Sequence, residues 1–301
     1  MDKRSLLKVL ARGRRFTRKL FYSNSGDWQW LATKPASING INRLLWRESV
    51  PSLSYFVMLS LSGAISTLGL LSGSTATVIG AMIIAPLMGP MIGIAYAIAA
   101  GNRRLLKRAG LTLTLSLLVT IGSAAFFCQV VGLRILNEEI LARTQPTLID
   151  LVVAMAAGAA GAFAKSRKYI ADAFPGVAIA VALVPPLSVI GIGLALWDVA
   201  TLTGSVLLFI TNLTGIIFSG IIVFLAQGYG SPKKAQEGMT FTFALLVVIG
   251  FPLGISLRNL LVQANTRQYV QELIRQRVEA LNDVAVQSVR VQRRQGVLHV
   301  S

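Results

Sequence analysis

The chain has 301 residues, 54% of them hydrophobic and only 14% charged, with a mean hydropathy of +0.65. That is too apolar for one water-soluble domain and points to an all-α polytopic membrane protein. A formal charge of +17 would suggest nucleic acid in a soluble chain, but the basic residues sit at the chain ends and in particular loops, so no nucleic-acid partner is expected.

Residues 1–50 read as a basic amphipathic N-terminal segment. Its opening run "MDKRSLLKVLARGRRFTRKLF" lacks the continuous apolar core and small-residue cleavage site of a signal peptide, so it is expected to stay on the mature protein. Leu6, Leu10, Thr17, Leu20 and Phe21 fall near one helical face, and Arg12, Arg14, Arg15, Arg18 and Lys19 crowd the rest. This suits a helix lying on a bilayer with anionic headgroups; a disordered basic tail is the alternative. Trp28, Trp30 and Trp46 suit the headgroup zone, where indole keeps one edge wet.

The transmembrane domain is expected over residues 51–257. Seven apolar stretches follow one another: Ser52–Gly73, Ser74–Ala100, Ala109–Gly132, Thr147–Ala164, Ile170–Leu196, Val199–Ala226 and Met239–Leu257. Each approaches the roughly 20 residues a bilayer demands. The links "SGST" and "WD" are tight enough to force hairpins between stretches one and two, and five and six. Cys128, the one cysteine, lies in an apolar run, so neither a disulfide framework nor a thiolate metal cluster can form within the chain. It reads as a buried thiol packing like a small hydrophobe.

Loop charges give orientation. Lys and Arg number eleven before the first stretch, four in "GNRRLLKR", three in "KSRK" and two in "SPKK", all on one side if every stretch crosses. The opposite loops hold Arg134 and Arg143, offset by Glu138 and Glu139. The asymmetry predicts a multi-pass protein with a cytoplasmic N-terminus. Seven crossings would send the tail outside with seven more basic residues, so either the tail is translocated or one stretch fails to span; about seven spans are expected.

Residues 258–301 form a small αβ tail. "LRNLLVQANTRQYVQELIRQRVEALNDV" has helical apolar spacing, and "VAVQSVRVQRRQGVLHV" alternates like a hairpin turning at Gln295–Gly296. A helix and one hairpin are too little to bury a core, so this reads as an incomplete domain or one completed by a neighbouring subunit in a homo-oligomer. His299, the single histidine, makes no metal site alone.

The chain also resembles itself. At a shift of 100, "VIGAMIIAPLMGPMIGIAYA" (78–97) overlies "AIAVALVPPLSVIGIGLALW" (178–197), setting Pro86 on Pro186 and Gly93 on Gly193. At a shift of 95, "SLSYFVMLSLSGA" overlies "TLIDLVVAMAAGA". Chance similarity among helices rich in small residues is the alternative. A real repeat gives two three-span units, 52–132 and 147–226, with 239–257 as a seventh helix. An odd span count inverts the second unit, as in secondary transporters whose interrupted helices meet near the bilayer midplane.

The interruptions would be the site. Pro86, Gly89 and Pro90 break the second stretch, and Pro185 and Pro186 the fifth, because proline lacks the amide hydrogen and its ring crowds the carbonyl four residues earlier. Carbonyls of Met82, Pro86, Val181 and Ala182 lose their helical partners and suit a cation, while free amides opening the second half-helices suit an anion. Such groups must face protein or a water-filled cavity; an ordinary packing kink is the alternative. A second polar focus, Thr211, Asn212 and Thr214 in the sixth stretch, reads as ligand contact or helix–helix glue. Substrate-binding candidates are therefore Pro86, Gly89, Pro90, Pro185, Pro186, Thr211, Asn212 and Thr214. Asp150, Asp172 and Asp198 lie near stretch ends, so no proton relay is expected. With no Ser/His/Asp set, ligand cluster or phosphate loop, no enzyme, metal or cofactor is expected.

The blocks "VIGAMIIAPLMGP", "ILARTQPTLIDLVVAMAAGAAGA" and "FPGVAIAVALVPPLSVIGIGLAL", in that order, resemble the hydrophobic membrane domain known as domain of unknown function 389. The resemblance covers roughly residues 50–257 and implies a multi-pass protein of a bacterial or archaeal cytoplasmic membrane. It implies no activity, substrate or catalytic residue. Some relatives bear a larger soluble domain before the membrane part, from which the short basic N-terminus departs. The leading expectation is a transporter or channel for a small solute at the two broken helices; the alternative is a non-transporting anchor or oligomeric scaffold.

Overall fold

The computed structural model describes residues 36–132, 136–167, 183–233, 235–251, 253–254, 291–294 and 297–300. The expected N-terminal helix, the first half of the fifth stretch and the tail helix lie outside them. The helices are α1 (Ile38–Glu48), α2 (Leu53–Leu71), α3 (Thr75–Ile84), α4 (Met88–Ala100), α5 (Arg103–Val131), the single turn α6 (Glu138–Leu141), α7 (Leu148–Lys165), α8 (Val184–Leu196), α9 (Val199–Ala226) and α10 (Ala235–Phe251). Strands β1 (Val291–Arg294) and β2 (Val297–Val300) pair antiparallel with Arg294 opposite Val297, so only 295–296 connect them.

Helix starts follow from side chains that satisfy the free first-turn amides. Ser52 caps α2, Ser74 caps α3, Asn102 caps α5 and Thr147 caps α7, the last in a reciprocal capping box with Asp150. The charged ends of α5 and α10 are helical too, so helix reaches back to Arg103 and at least to Ala235, before the apolar boundaries expected at Ala109 and Met239. Hydropathy marks what lipid can cover; backbone hydrogen bonding continues past it. Four helices, α2, α5, α7 and α9, are long and apolar enough to cross a membrane, and five if the bent α3–α4 pair counts as one. The shorter apolar helices α8 and α10 correspond to the fifth and seventh stretches.

Glycines set the closest helix contacts. A Cβ on Gly158 of α7 would lie 2.4 Å from the Ile216 carbonyl oxygen of α9, and one on Gly191 of α8 would lie 2.6 Å from the Ile121 carbonyl oxygen of α5. Contacts advance together along α7 and α9, from Leu151 at Gly215 to Ala162 at Gly220, so the two run parallel. Parallel too are α2 and α5, from the Tyr55–Ser116 hydroxyl contact of 2.8 Å to Gly63 against Thr120. The half-helices α4 and α8 both pack on α5 and α9 and scarcely touch one another. Cys128 is buried, 2% exposed, as expected of a thiol used as a hydrophobe.

The helix bounds show a regular spacing of their own. Helices α4 and α8 have 13 residues each and stand 96 positions apart (88 to 184, 100 to 196), and the starts of α5 and α9 do so as well (103 to 199). Pro90 and Pro186 are each the third residue of their helices, whereas Pro86 precedes α4. The letter matches favour a shift of 100, four residues longer than this helix spacing, and a slip of four keeps the same helix face. The two chain reversals also match. Gly101 and Trp197 both adopt left-handed backbone, at φ 68° and 58°, and Asn102 and Asp198 follow as the next caps. Tryptophan in a glycine conformation shows how strictly that turn is imposed.

Candidate functional site

The break in the second stretch is built by Pro86. The residue before a proline is pushed out of helical space, and Ala85 is extended, with ψ 122°. Helix α3 ends at Ile84, α4 restarts at Met88, and the axis bends by 57°. Pro90 falls in the first turn of α4, where an amide hydrogen is not needed. At the end of α3 the Ala81 carbonyl accepts from Ser62 Oγ at 2.7 Å. Beyond it Met82, Ile83 and Ile84 have carbonyls that accept no hydrogen bond among the described residues. Pro86 itself is half-buried.

Of the interruption expected in the fifth stretch, only the start of α8 lies among the described residues. Helix α8 starts at Val184 with Pro185 and Pro186 both in its first turn, and all three are buried. Two prolines remove two of the amides that a helix start would offer an anion. The expectation that free amides suit an anion therefore weakens most at α8, whose first turn keeps one non-proline amide, on Val184. The carbonyls of Val181 and Ala182 lie outside the described residues.

Thr211, Asn212 and Thr214 are buried on α9, which packs against both half-helices. The Thr211 hydroxyl donates to the Leu207 carbonyl at 2.8 Å, so its proton is used within α9. Ser66 on α2 and Ser188 on α8 are fully buried, and neither hydroxyl oxygen has a hydrogen-bond partner among the described residues. Helices α2 and α8 pack against one another, so both hydroxyls belong to the bundle interior.

Gly89 is where the site departs most from expectation. A Cβ there would lie 2.7 Å from the Glu48 carbonyl oxygen and 2.8 Å from the Glu48 Cβ. The end of α1 thus covers the start of α4. Glu48 Oε1 accepts from Lys165 Nζ, at the end of α7, at 2.6 Å, with side-chain exposures of 26% and 12%. Its other oxygen, Oε2, is buried with no hydrogen-bond partner among the described residues. Sequence reasoning placed Glu48 in the N-terminal segment, Lys165 in a loop, and no helix over 38–48. The available signal was that Glu48 is the one acidic residue between Asp27 and Glu138, immediately before an apolar stretch. Among the described residues no group of three or more His, Cys, Asp or Glu could hold a metal ion.

Residues 82–218 match the family model described as domain of unknown function (DUF389), so the resemblance carried by the three sequence blocks holds over that stretch. An uncharacterized protein of Methanocaldococcus jannaschii is 29% identical over 194 residues, which are 64% of this chain and 60% of that relative. The match thus spans less than two thirds of the relative. No solved structure matches the chain.

Proposed function

We propose that this protein is an integral membrane protein that passes a small solute through the interior between its two half-helices, with the broken ends of α3–α4 and α8 as the contact region. The observation that carries the reading is the exchange of neighbours. Each half-helix, α4 or α8, packs not only on the long helix that follows it but also on the long helix 96 positions away in the other half. Along the α4–α9 contact Ala95 meets Gly220 and Tyr96 meets Phe224, so these two run parallel. Helix α5 turns back from α4, so α5 and its counterpart α9 point in opposite directions, as two halves inserted in opposite senses would.

Polarity narrows the solute. Three open carbonyls at the end of α3 and prolines in place of amides at α8 favour a cation or a neutral hydrogen-bond donor over an anion. Buried hydroxyls without partners, on Ser66 and Ser188, are costly in a dry interior and are relieved by water or solute.

The test is thiol access in intact membranes, in a Cys128→Ala background. Pro86→Cys and Ser188→Cys are expected to react with a membrane-impermeant thiol reagent faster than Leu118→Cys, whose side chain is 64% exposed on the outside of α5. If both react as slowly as Leu118→Cys, no aqueous path reaches the breaks and the scaffold reading stands instead.

A further inference from the structure

A second site lies at the other end of α4, away from the break. The link after α9, running into the first turn of α10, folds back over the end of α4 because two glycines allow it, Gly230 in the link and Gly238 in α10. A Cβ on Gly230 would lie 2.0 Å from the Ala99 carbonyl oxygen, and one on Gly238 would lie 2.5 Å from Ile98 Cγ2. Between this link and the start of α5 remains a cavity of about 490 Å³, within the size range of small-ligand sites. Ile98 and Leu106 give it apolar wall, and Arg103, Lys233, Gln236 and Glu237 give it polar wall.

Neither Arg103 nor Lys233 forms an ion pair with any described residue, although Glu237 shares the lining. Two cations against one carboxylate leave net positive charge, and α5 begins at Arg103, adding the positive end of a 29-residue helix. Water alone would satisfy the charges but not the apolar wall. An amphiphile with an anionic head satisfies both, and the cavity lies where the apolar helix α4 gives way to the charged start of α5.

We propose that this cavity binds the headgroup of an anionic phospholipid, its phosphate between Arg103 and Lys233 and its upper acyl carbons against Ile98 and Leu106. The site is independent of the solute path. The probe is phosphatidylglycerol, titrated onto the delipidated full-length protein in detergent and read by native mass spectrometry, with phosphatidylcholine and inorganic phosphate as comparisons. The Arg103→Gln/Lys233→Gln variant is expected to lose about thirtyfold in phosphatidylglycerol affinity, near the loss of two surface-charge contacts. Arg104→Gln/Lys107→Gln, which removes two exposed cations of the same helix outside the cavity lining, is expected to match the wild type. Thermal unfolding of both variants without lipid should equal the wild type. Equal retention of phosphatidylglycerol by the cavity variant, equal retention of phosphatidylcholine by the wild type, or displacement of the lipid by millimolar inorganic phosphate would each overturn the proposal.

Discussion

Replacing Gly89 with alanine separates a covered break from an open one. The new methyl would meet the Glu48 carbonyl oxygen at 2.7 Å and the Glu48 Cβ at 2.8 Å, where ordinary van der Waals contact begins at 3.4 Å. The end of α1 must therefore retreat by about 0.7 Å, and because one neighbour is main chain no side-chain rotation relieves the contact. Overpacking of this kind costs about 1–3 kcal/mol. The gain from exchanging glycine for alanine in a helix is at most about 1 kcal/mol and smaller in a first turn. Gly89→Ala should thus lose about 1–2 kcal/mol, a few degrees in melting temperature. Gly80→Ala, in the other half of the same bent pair, meets nothing within 4 Å and should be neutral or slightly stabilising. Both are measured by thermal unfolding in one detergent. If Gly89→Ala is as stable as Gly80→Ala, α1 does not seat on α4.

The Glu48–Lys165 pair is partly exposed, so its coupling energy should be about 1 kcal/mol in a double-mutant cycle of Glu48→Gln and Lys165→Met, and should shrink with added salt; zero coupling would make it an accident of two long side chains. Cysteines replacing Ala95 and Gly220 should bridge on mild oxidation in a Cys128→Ala background, because a Cβ on Gly220 lies 2.9 Å from that of Ala95 and a retreat of about 1 Å brings the pair into the disulfide range of about 3.5–4.5 Å; failure to bridge would count against α4 packing on α9. Asp198, in the link before α9, is held below its ordinary value of 3.8 by the Thr201 hydroxyl and, behind it, the amides of Thr201 and Ala200. A carboxyl depressed on folding stabilises above its unfolded value and loses that contribution as pH falls through its folded one. The melting difference between wild type and Asp198→Asn should therefore be constant from pH 8 to 5 and shrink below about pH 4; a difference that grows on acidification would reverse the assignment.

Hydropathy and punctuation made much of the fold legible. The sixth stretch was expected at the bounds α9 adopts, and Pro86 announced a break that Ala85 and the 57° bend realise. The α1 helix carried a signal in Ile38, Ile41, Leu44 and Leu45, which recur at helical spacing, but at 11 residues it falls short of a span and sits inside a segment marked chiefly by its charges; Ile41 and Leu45 are fully buried. Glu48 and Lys165 were hidden for another reason. A lone acid and a lone base 117 positions apart carry no local pattern, and only the close approach that Gly89 permits brings the acid against the start of α4. The site residues themselves were recognised as breaks and polar foci, but their roles divide. Pro86 makes a break, Pro90 and Pro185–Pro186 start half-helices, Gly89 is a packing seat, and Thr211 spends its proton inside α9.

The claim on which the rest depends is that water reaches the main chain where α3 gives way to α4. Hydrogen exchange of the wild-type protein in lipid nanodiscs, read on peptides covering residues 82–92, tests it without any substitution. The amides of Ala85, Leu87, Met88 and Gly89 should exchange within seconds while those in the middle of α5 stay protected for hours. Protection at 85–89 equal to that of Leu113–Thr120 would mean a dry joint and no path for a solute.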